Sequence, residues 1–521
     1  MKRIIPLLIA LAALLGGHDA TGATKRDKVD PGDIQRKRSE NIERKFRKVF
    51  DKQNADFAVK LKDLAGWCAE KGLADEAKEL WNKAKELDPD MVGEQPKASD
   101  AKPSDAEKTD FATRKKALYD AQARNLFDLG STCFKAGLVG RSYDMVWEIL
   151  NYSPDHATAH KILSETKYEG KWMDTWEARQ LSKGRVFTDE YGWVFKSDLE
   201  KFDKELMPFP PRGWLPRDQV EELRSKWSSA WEFDTEHYHI KANTSLADAV
   251  AFSKTVEENY KLFFRIYIGY FSSKNQGEML FGNRRDNKPM KVNYYSSKED
   301  FLRFSSAPQY AAGLYMPMTR TAHFYKIDKA SDVRVLKHEA THQLFVETRA
   351  ARQSQRGAWV VEAAATYMET CDRVQGKIVA QGKKALWVQQ FKQVLQTDKA
   401  VALGELDQLT YDGFQAKGPM IAYPEAASLA CYLMEADDGN YRERFVDYIE
   451  AFYTGKLGTG GQLEKYIGVP YAELDAQFRT WIMADDAQAG SAQKPPSEKK
   501  EEGKKDTEKK PDAKSPDAGK K

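Results

Sequence analysis

The sequence predicts an α+β protein that is predominantly α, with helical hairpins in its N-terminal part and a mixed domain of strands and helices after them. Two similar helical patterns precede residue 168, and beyond residue 236 short strand patterns alternate with long amphipathic helices. The 521 residues exceed the ~100–200 residues of a single domain, so two or three units plus tails are expected. A hydrophobic fraction of 41% is sufficient to build their cores.

Residues 1–23 have the pattern of a secretory signal peptide. Met1-Lys2-Arg3 is basic, an apolar run extends from Ile4 to Leu15, and small residues follow at Thr21-Gly22-Ala23. The run is shorter than the ~20 apolar residues that cross a bilayer, which favours cleavage near Ala23 over anchoring. We therefore expect an exported protein, periplasmic or extracellular, without a membrane span after cleavage.

The charge distribution gives no indication of a nucleic-acid partner. The formal net charge is +3, of which residues 1–23 carry +1 and residues 491–521 carry +3, so everything between carries −1. A near-neutral body offers no basic surface for a phosphate backbone. Residues 24–52 are highly charged and predict a solvated helix, whereas residues 484–521 lack nearly all apolar side chains and predict a disordered tail.

Residues 53–167 predict two helical hairpins with a common pattern of about 34 residues. The first copy is aligned on Pro89 and the second on Pro154, and small or bulky apolar residues occupy the matching positions: Ala65, Cys68, Ala77, Trp81 and Ala84, then Gly130, Cys133, Ser142, Val146 and Ile149. Both copies resemble tetratricopeptide repeats. Residues 92–110, rich in Pro, Ser, Asp and Lys, interrupt them and predict a disordered loop.

Two interpretations of these hairpins remain open, namely a surface that binds a protein partner and a helical brace for the next domain. Residues 168–235 predict an irregular region of short strands and linker, in which Gly170-Lys171-Trp172 and Gly192-Trp193-Val194 indicate strands. Prolines between residues 208 and 216 mark the linker, and a domain boundary near 235 follows. Residues 236–483 predict the α+β domain.

The motif with the clearest chemistry is His338-Glu339-Ala340-Thr341-His342, inside a helical pattern. Two His residues four positions apart lie on one face of a helix, so both imidazoles can reach one metal ion. Glu339 follows the first of them and can accept a proton from water activated by the metal, as a general base does. The motif therefore predicts a hydrolytic zinc site with His338 and His342 as ligands.

A second helical segment, from Trp359 to Glu369, contains Glu362 twenty residues after His342. The two motifs together are similar to the gluzincin metallopeptidases, and residues 236–483 resemble a secreted peptidase-MA-like family whose substrates are mostly unknown. The resemblance implies a zincin-like fold with zinc bound by His338, His342 and Glu362. The Gly-Ala-Met-Glu-Asn signature of the aminopeptidase branch is missing from the sequence, which favours an endopeptidase acting on peptides or proteins.

Three further residues are candidates, and two of them also have an ordinary structural explanation. The phenol of Tyr423 is expected to stabilise the tetrahedral oxyanion, unless it is a capping or core tyrosine. Glu369 is expected to orient a metal ligand, unless it is a solvent-facing helix residue. His323 lies on the strand before the metal helix, where relatives bind extended substrate by strand addition, and is expected to contact substrate.

The four cysteines permit two disulfides in an exported chain. Cys68 and Cys133 occupy equivalent hairpin positions where a small apolar residue suffices, so we expect buried thiols there. Cys371 and Cys431 either pair or stay free.

The functional prediction is a secreted zinc metallopeptidase that hydrolyses peptide bonds, with Glu339 as general base. The alternative is a non-enzymatic exported scaffold that binds a partner through its helical repeats and retains an inactive peptidase fold.

Overall fold

The computed structural model describes residues 31–90, 93–271, 289–327, 329–348, 353–374, 377–457 and 462–484. The predicted signal peptide at 1–23 and the predicted disordered tail after residue 484 lie outside these described ranges. The chain is predominantly helical and contains one five-stranded sheet and four two-stranded sheets within the described residues. The expected α+β class with a majority of helix is therefore confirmed.

The N-terminal part consists of two helical hairpins and a short fifth helix: α1 (Pro31–Glu70), α2 (Ala74–Leu87), α3 (Asp105–Ala136), α4 (Val139–Tyr152) and α5 (Ala157–Ile162). Helix α1 packs along α2, and α3 packs along α4. The small residues identified in the sequence, among them Ala65, Cys68, Gly130 and Cys133, are buried between the helices. Their lack of bulk allows the close helix approach that the sequence predicted.

The interruption between the hairpins is shorter than the expected disordered loop at 92–110. Helix α3 already begins at Asp105, because Ser104 and Glu107 form a reciprocal capping box in which each side chain bonds the other residue's backbone N–H. Before it, the Ser99 N–H donates to the carbonyl oxygen of Ala69 at 2.8 Å. The described part of this segment, from residue 93, is thus tied to α1.

Three consecutive strand–strand–helix units replace the irregular linker expected at 168–235. The units are β1 (Glu165–Tyr168), β2 (Lys171–Asp174) and α6 (Thr175–Ser182); β3 (Arg185–Thr188), β4 (Gly192–Phe195) and α7 (Leu199–Asp203); and β5 (Leu206–Pro208), β6 (Trp214–Pro216) and α8 (Arg217–Arg224). Each pair of strands is antiparallel. The prolines between residues 208 and 216, which were expected to mark a linker, lie in or beside the third hairpin.

A tryptophan recurs in the second strand of each unit, as Trp172, Trp193 and Trp214, at intervals of 21 residues. Each one packs on an aromatic residue of the helix before it: Trp172 on His160, Trp193 on Trp176 and Trp214 on Phe202, with ring centroids 4.1, 5.6 and 5.3 Å apart. These contacts join the units in series. The region is therefore a short internal repeat, where the sequence predicted an irregular region.

The C-terminal part is built on a five-stranded sheet of β7 (Trp231–Asp234), β8 (Tyr238–Ala242), β9 (Met290–Tyr295), β10 (Gly313–Met316) and β11 (Thr321–Tyr325). The strand order is β10-β11-β9-β8-β7. The inner pairs β8–β9 and β9–β11 are parallel, and the outer pairs are antiparallel. Strand β7 starts before residue 235, so the domain boundary expected near residue 235 would divide the β7–β8 hairpin. The C-terminal part therefore begins a few residues earlier than expected.

Helices make up most of the rest of the C-terminal part and pack on one another and on the sheet. They are α9 (Leu246–Ile266), α10 (Lys298–Ser305), α11 (Lys329–Glu347), α12 (Trp359–Glu369), α13 (Leu386–Val394), α14 (Leu403–Leu406), α15 (Tyr411–Ala416), α16 (Pro419–Gly439), α17 (Arg442–Tyr453), α18 (Leu463–Ile467) and α19 (Tyr471–Met483). A last hairpin, β12 (Cys371–Val374) with β13 (Lys377–Ala380), follows α12. One continuous core joins these helices to the sheet, while the helical hairpins have a core of their own.

All four cysteines are buried, free thiols. The expectation for Cys68 and Cys133 is confirmed, and Cys371 and Cys431 are unpaired as well. Among the helices of the described residues, none combines the length and apolar character that a membrane crossing requires.

Candidate metal centre

Helix α11 presents the two histidines of the sequence motif on one face. It packs against β10 and β11 on one side and against α9 and α12 on another, with Leu336, Ala340 and Leu344 buried. The helix also carries His338 and His342, whose ring centroids are 4.8 Å apart. Both imidazoles are partly exposed, at 16% and 15% of their side-chain surface, so a ligand can approach them.

Helix α12 brings Glu362 to these histidines. Its Oε2 lies 3.2 Å from Nε2 of His338 and 3.6 Å from Nε2 of His342. This oxygen is buried and has no hydrogen-bond partner of acceptable geometry. A buried carboxylate oxygen without a hydrogen bond is costly, and a cation held between it and the two imidazole nitrogens would satisfy it.

The electrostatics of the cluster also favour positive charge. Burial would raise the pKa of Glu362, but the neighbouring His342 and His338 hold that pKa below its usual range. Burial would likewise lower the pKa of His338, but its contacts with Glu362 and Glu369 hold it well above the usual value. A proton or a divalent cation between the imidazoles and the carboxylate satisfies both groups.

The donor set and its spacing fit zinc. Tetrahedral zinc with Zn–N and Zn–O distances near 2.0–2.1 Å places its ligand atoms about 3.3 Å from one another. The two measured separations to Glu362, 3.2 and 3.6 Å, bracket that value. The three ligand atoms all lie within 4.8 Å of one another. Two imidazoles and one carboxylate leave a fourth position for water or substrate.

Glu369 holds His338 from the far side of its ring. The Nδ1 of His338 lies 2.7 Å from Glu369 Oε1, and the indole N–H of Trp387 donates to Glu369 Oε2 at 3.1 Å. With Nδ1 engaged, Nε2 of His338 is the nitrogen directed at Glu362. Glu369 thus lies where a ligand-orienting residue belongs, and no local pattern in the sequence distinguishes its partner Trp387.

Glu339 lies beside the face of α11 that carries the two histidines, against β10, the outer strand of the sheet. Its Oε2 accepts a hydrogen bond from the backbone N–H of Tyr315, on β10, at 3.0 Å. A Cβ at Gly313 would lie 2.6 Å from Val335 Cγ1 and 3.0 Å from Glu339 Cγ. A glycine is therefore required where the strand edge crosses the helix, because any side chain there would displace the glutamate.

Two tyrosines, Tyr411 and Tyr423, lie beside Glu362. The hydroxyl of Tyr411 donates to Glu362 Oε1 at 2.9 Å, while the hydroxyl of Tyr423 accepts a hydrogen bond from Gln415 Nε2 at 3.1 Å. Burial and the charge of Glu362 raise the pKa of Tyr423, so this phenol keeps its proton and can donate it to a hydrogen bond. Tyr423 lies in the first turns of α16, next to the cluster.

His323 is placed differently from the expectation. Strand β11 is paired on both sides, with β9 and with β10, so no third strand can add to it. The His323 side chain is buried, with Nδ1 3.0 Å from the Tyr295 hydroxyl, and burial lowers the pKa of its imidazole to about 4. The open edge that an extended peptide can reach is β10. His323 therefore lies in the sheet interior, on the strand next to that edge.

The structure brings together five of the six other predicted residues, His338, His342, Glu362, Glu339 and Glu369, and puts Tyr423 beside them. It adds Tyr411, Trp387 and the Gly313–Tyr315 edge, which lie up to 49 positions from the residues they contact. No local pattern singles them out, because their role follows from packing between distant elements. No protein-family model and no curated protein matches this chain.

Proposed function

We propose that this protein is an exported zinc-dependent metallopeptidase that cleaves peptide bonds within peptides or proteins. The observation that supports it best is the cluster of His338, His342 and Glu362, in which both imidazoles face a buried oxygen of Glu362 that has no hydrogen-bond partner. Glu339 directly follows the first histidine in the chain. The signal-like segment at 1–23 supports export to a periplasmic or extracellular space.

We also propose a gluzincin relationship, in which the C-terminal part is a zincin-like domain. The features that support it are two ligands on α11, the third on α12, and an antiparallel edge strand running past α11. The N-terminal hairpins are then tetratricopeptide-like. Their packing against the C-terminal part favours a bracing role, while a protein partner on their remaining surface stays the alternative.

Bound zinc would be held by His338, His342 and Glu362 and would supply Lewis acidity that makes water nucleophilic near neutral pH. Glu339 is the general base in this scheme: it accepts a proton from the attacking water and delivers it to the leaving amine. The Tyr315 N–H fixes one carboxylate oxygen of Glu339, at 3.0 Å, and leaves the other to handle the proton.

Tyr423 provides a hydrogen bond to the carbonyl oxygen of the scissile peptide as negative charge develops on it. Gln415 donates to the oxygen of the phenol, whose own proton can turn from Glu362 to the substrate oxygen. A donor aimed at a developing oxyanion typically contributes ~10²–10³ in kcat.

The outer edge of β10 is not paired with another described strand and gives the substrate a template through backbone groups other than the Tyr315 N–H, which donates to Glu339. An unpaired strand edge binds an extended peptide through backbone hydrogen bonds. Because Tyr315 on this edge contacts Glu339 directly, a peptide paired with β10 runs past the general base. Backbone recognition of this kind does not need a free chain end, which supports endopeptidase activity.

The test is hydrolysis of a mixed peptide library by the zinc-loaded protein lacking only residues 1–23, compared with its E339Q variant at equal zinc content. The expected result is internal cleavage by the parent and a loss of at least about 100-fold in rate in the variant. The cut sites would define the sequence preference.

If both proteins hold zinc and neither cleaves any peptide, the peptidase proposal is wrong. A non-enzymatic scaffold that binds a partner through the helical hairpins then becomes the better explanation. Partner binding that survives removal of zinc would support that alternative.

A further inference from the structure

Glu362 has two carboxylate oxygens with different environments. Oε2 faces the two histidines and has no hydrogen-bond partner, whereas Oε1 accepts a hydrogen bond from the Tyr411 hydroxyl at 2.9 Å. The last torsion of a glutamate side chain has a broad, shallow profile and does not by itself fix the carboxylate plane. The side chain is only 3% exposed, so the donor that fixes this plane comes from the protein.

Tyr411 belongs to a segment outside both metal-site helices, and a buried carboxylate anchors that segment. Asp407 is fully buried, and its Oδ1 accepts hydrogen bonds from the indole N–H of Trp359, at 3.1 Å, and from Tyr448. Its Oδ2 accepts from the backbone N–H of Leu463 at 2.9 Å and from Tyr471. Four donors to one carboxylate fix the position of the backbone that leads to Tyr411.

The same anchor fixes the helix that carries Glu362. Trp359 is the first residue of α12 and lies three positions before Glu362. Asp407 is four positions before Tyr411, whose helix α15 is capped by Thr410 through a hydrogen bond from the Gly413 N–H at 3.2 Å. The hydrogen bond between Trp359 and Asp407 therefore joins the start of α12 to the segment that leads to Tyr411. It holds the Tyr411 hydroxyl and the Glu362 carboxylate at a fixed separation.

We propose that Tyr411 is a positioning residue for the metal: its hydroxyl fixes the carboxylate plane of Glu362 so that Oε2 stays directed at the ion. This inference rests on the proposed zinc site. It adds a residue that acts through Glu362 and has no contact with the ion. Hydrogen-bond partners of metal ligands typically contribute a factor of about 10–100 in metal affinity.

Replacement of Tyr411 by Phe isolates this role. The residue is 46% exposed, so the change removes one hydroxyl without opening a buried cavity. It removes the donor that holds Oε1 of Glu362 and so allows the carboxylate to rotate. Y441F is a matched control, because it removes a tyrosine hydroxyl that donates to Gln477 at 3.0 Å and not to Glu362.

The experiment measures zinc affinity of the full chain by competition with a chromophoric chelator, in the parent, Y411F and Y441F. The expected result is affinity about 10–100-fold weaker in Y411F and unchanged in Y441F. Visible absorption of the Co²⁺-loaded proteins gives a second readout, since a rotated carboxylate alters the ligand field. The spectrum is expected to change in Y411F alone.

A parent that binds neither zinc nor Co²⁺ overturns the zinc site and this inference with it. A parent that binds both, with Y411F identical in affinity and spectrum, overturns only the role of Tyr411. If Y411F does not fold, T410A replaces it, because loss of the α15 cap shifts Tyr411 without removing its hydroxyl. Several-fold weaker zinc binding by T410A supports the inference, and unchanged binding contradicts it.

Discussion

Glu443, at the start of α17, caps the N-terminus of α4 through Gly140. Its Oε2 accepts the Gly140 N–H at 3.2 Å and its Oε1 accepts the Arg141 N–H at 2.9 Å. No side chain of α4's own cap residue performs this role. The adjacent Arg442 pairs with Asp144 of α4 at 2.7 Å. The second helical hairpin is thus completed by a residue of the C-terminal part, which makes the two a single packed structure.

Gly140→Ala is expected to destabilise the protein by ~1–2 kcal/mol, the usual effect of losing a helix cap. A Cβ there would lie 2.5 Å from Glu443 Oε1 and 2.6 Å from Arg442 Nη2, so the capping carboxylate has to move. Gly66→Ala is the control, because its Cβ would meet nothing within 4 Å. That change inside α1 is expected to stabilise by up to about 1 kcal/mol. Urea denaturation of both variants checks the opposite signs; a stabilised G140A would show that the hairpin is not docked as described.

Gly313→Ala is expected to lower kcat/KM at least ~10-fold while zinc content stays at the parent level. The added Cβ would overlap Val335 Cγ1 and press on Glu339 Cγ, and displacement of a catalytic group by about 1 Å is enough for a large loss. Steady-state hydrolysis together with metal analysis checks it. Equal loss of zinc and activity would point instead to a general distortion of α11.

Tyr423→Phe is expected to lower kcat by ~10²–10³ with little change in KM and a smaller effect on zinc affinity, because the phenol acts on the oxyanion of the transition state and also contacts Glu362. Gln415→Ala serves as the comparison. It removes the hydrogen bond that orients the phenol, and a smaller loss is expected. A Y423F variant with parental kcat would make Tyr423 a core residue and transfer the oxyanion role elsewhere.

Glu425 is expected to make the protein less stable as pH rises. It is fully buried in α16, and burial, together with the charges of Asp475 and Glu405, raises its pKa from 4.5 to about 8, against the opposing Val401 N–H and Arg479. A raised carboxyl pKa means that the folded state holds the proton more tightly. The stabilisation is complete below pH 4.5 and is lost as pH rises towards 8, at about 1.4 kcal/mol per pH unit at most.

Glu425→Gln removes this titration. The variant is expected to match the parent near pH 5 and to unfold at a higher urea concentration near pH 9. Comparing the two proteins at each pH cancels the contributions of other buried acids. Parallel pH profiles for parent and variant would show that Glu425 is ionised in the folded state.

The metal motif and the hairpin pattern were accessible from sequence because their spacing is local. His338 and His342 share a helix face at any tertiary arrangement, and small residues at helical spacing must lie where helices touch. Glu362 was accessible only through a family resemblance, since nothing in a sequence fixes the distance between two helices. The Trp172, Trp193 and Trp214 interval was equally local, but the prolines around the third copy concealed it.

Tertiary structure alone determined the contacts made across long separations. Tyr411 reaches Glu362, Tyr315 reaches Glu339 and Glu443 reaches Gly140 because strand order and helix packing bring them together. It also determined that β10, and not β11, is the open edge of the sheet, which leaves His323 buried. A sequence specifies which side chains share an element; which elements become neighbours depends on the packing of the whole core, and these contacts follow from that packing.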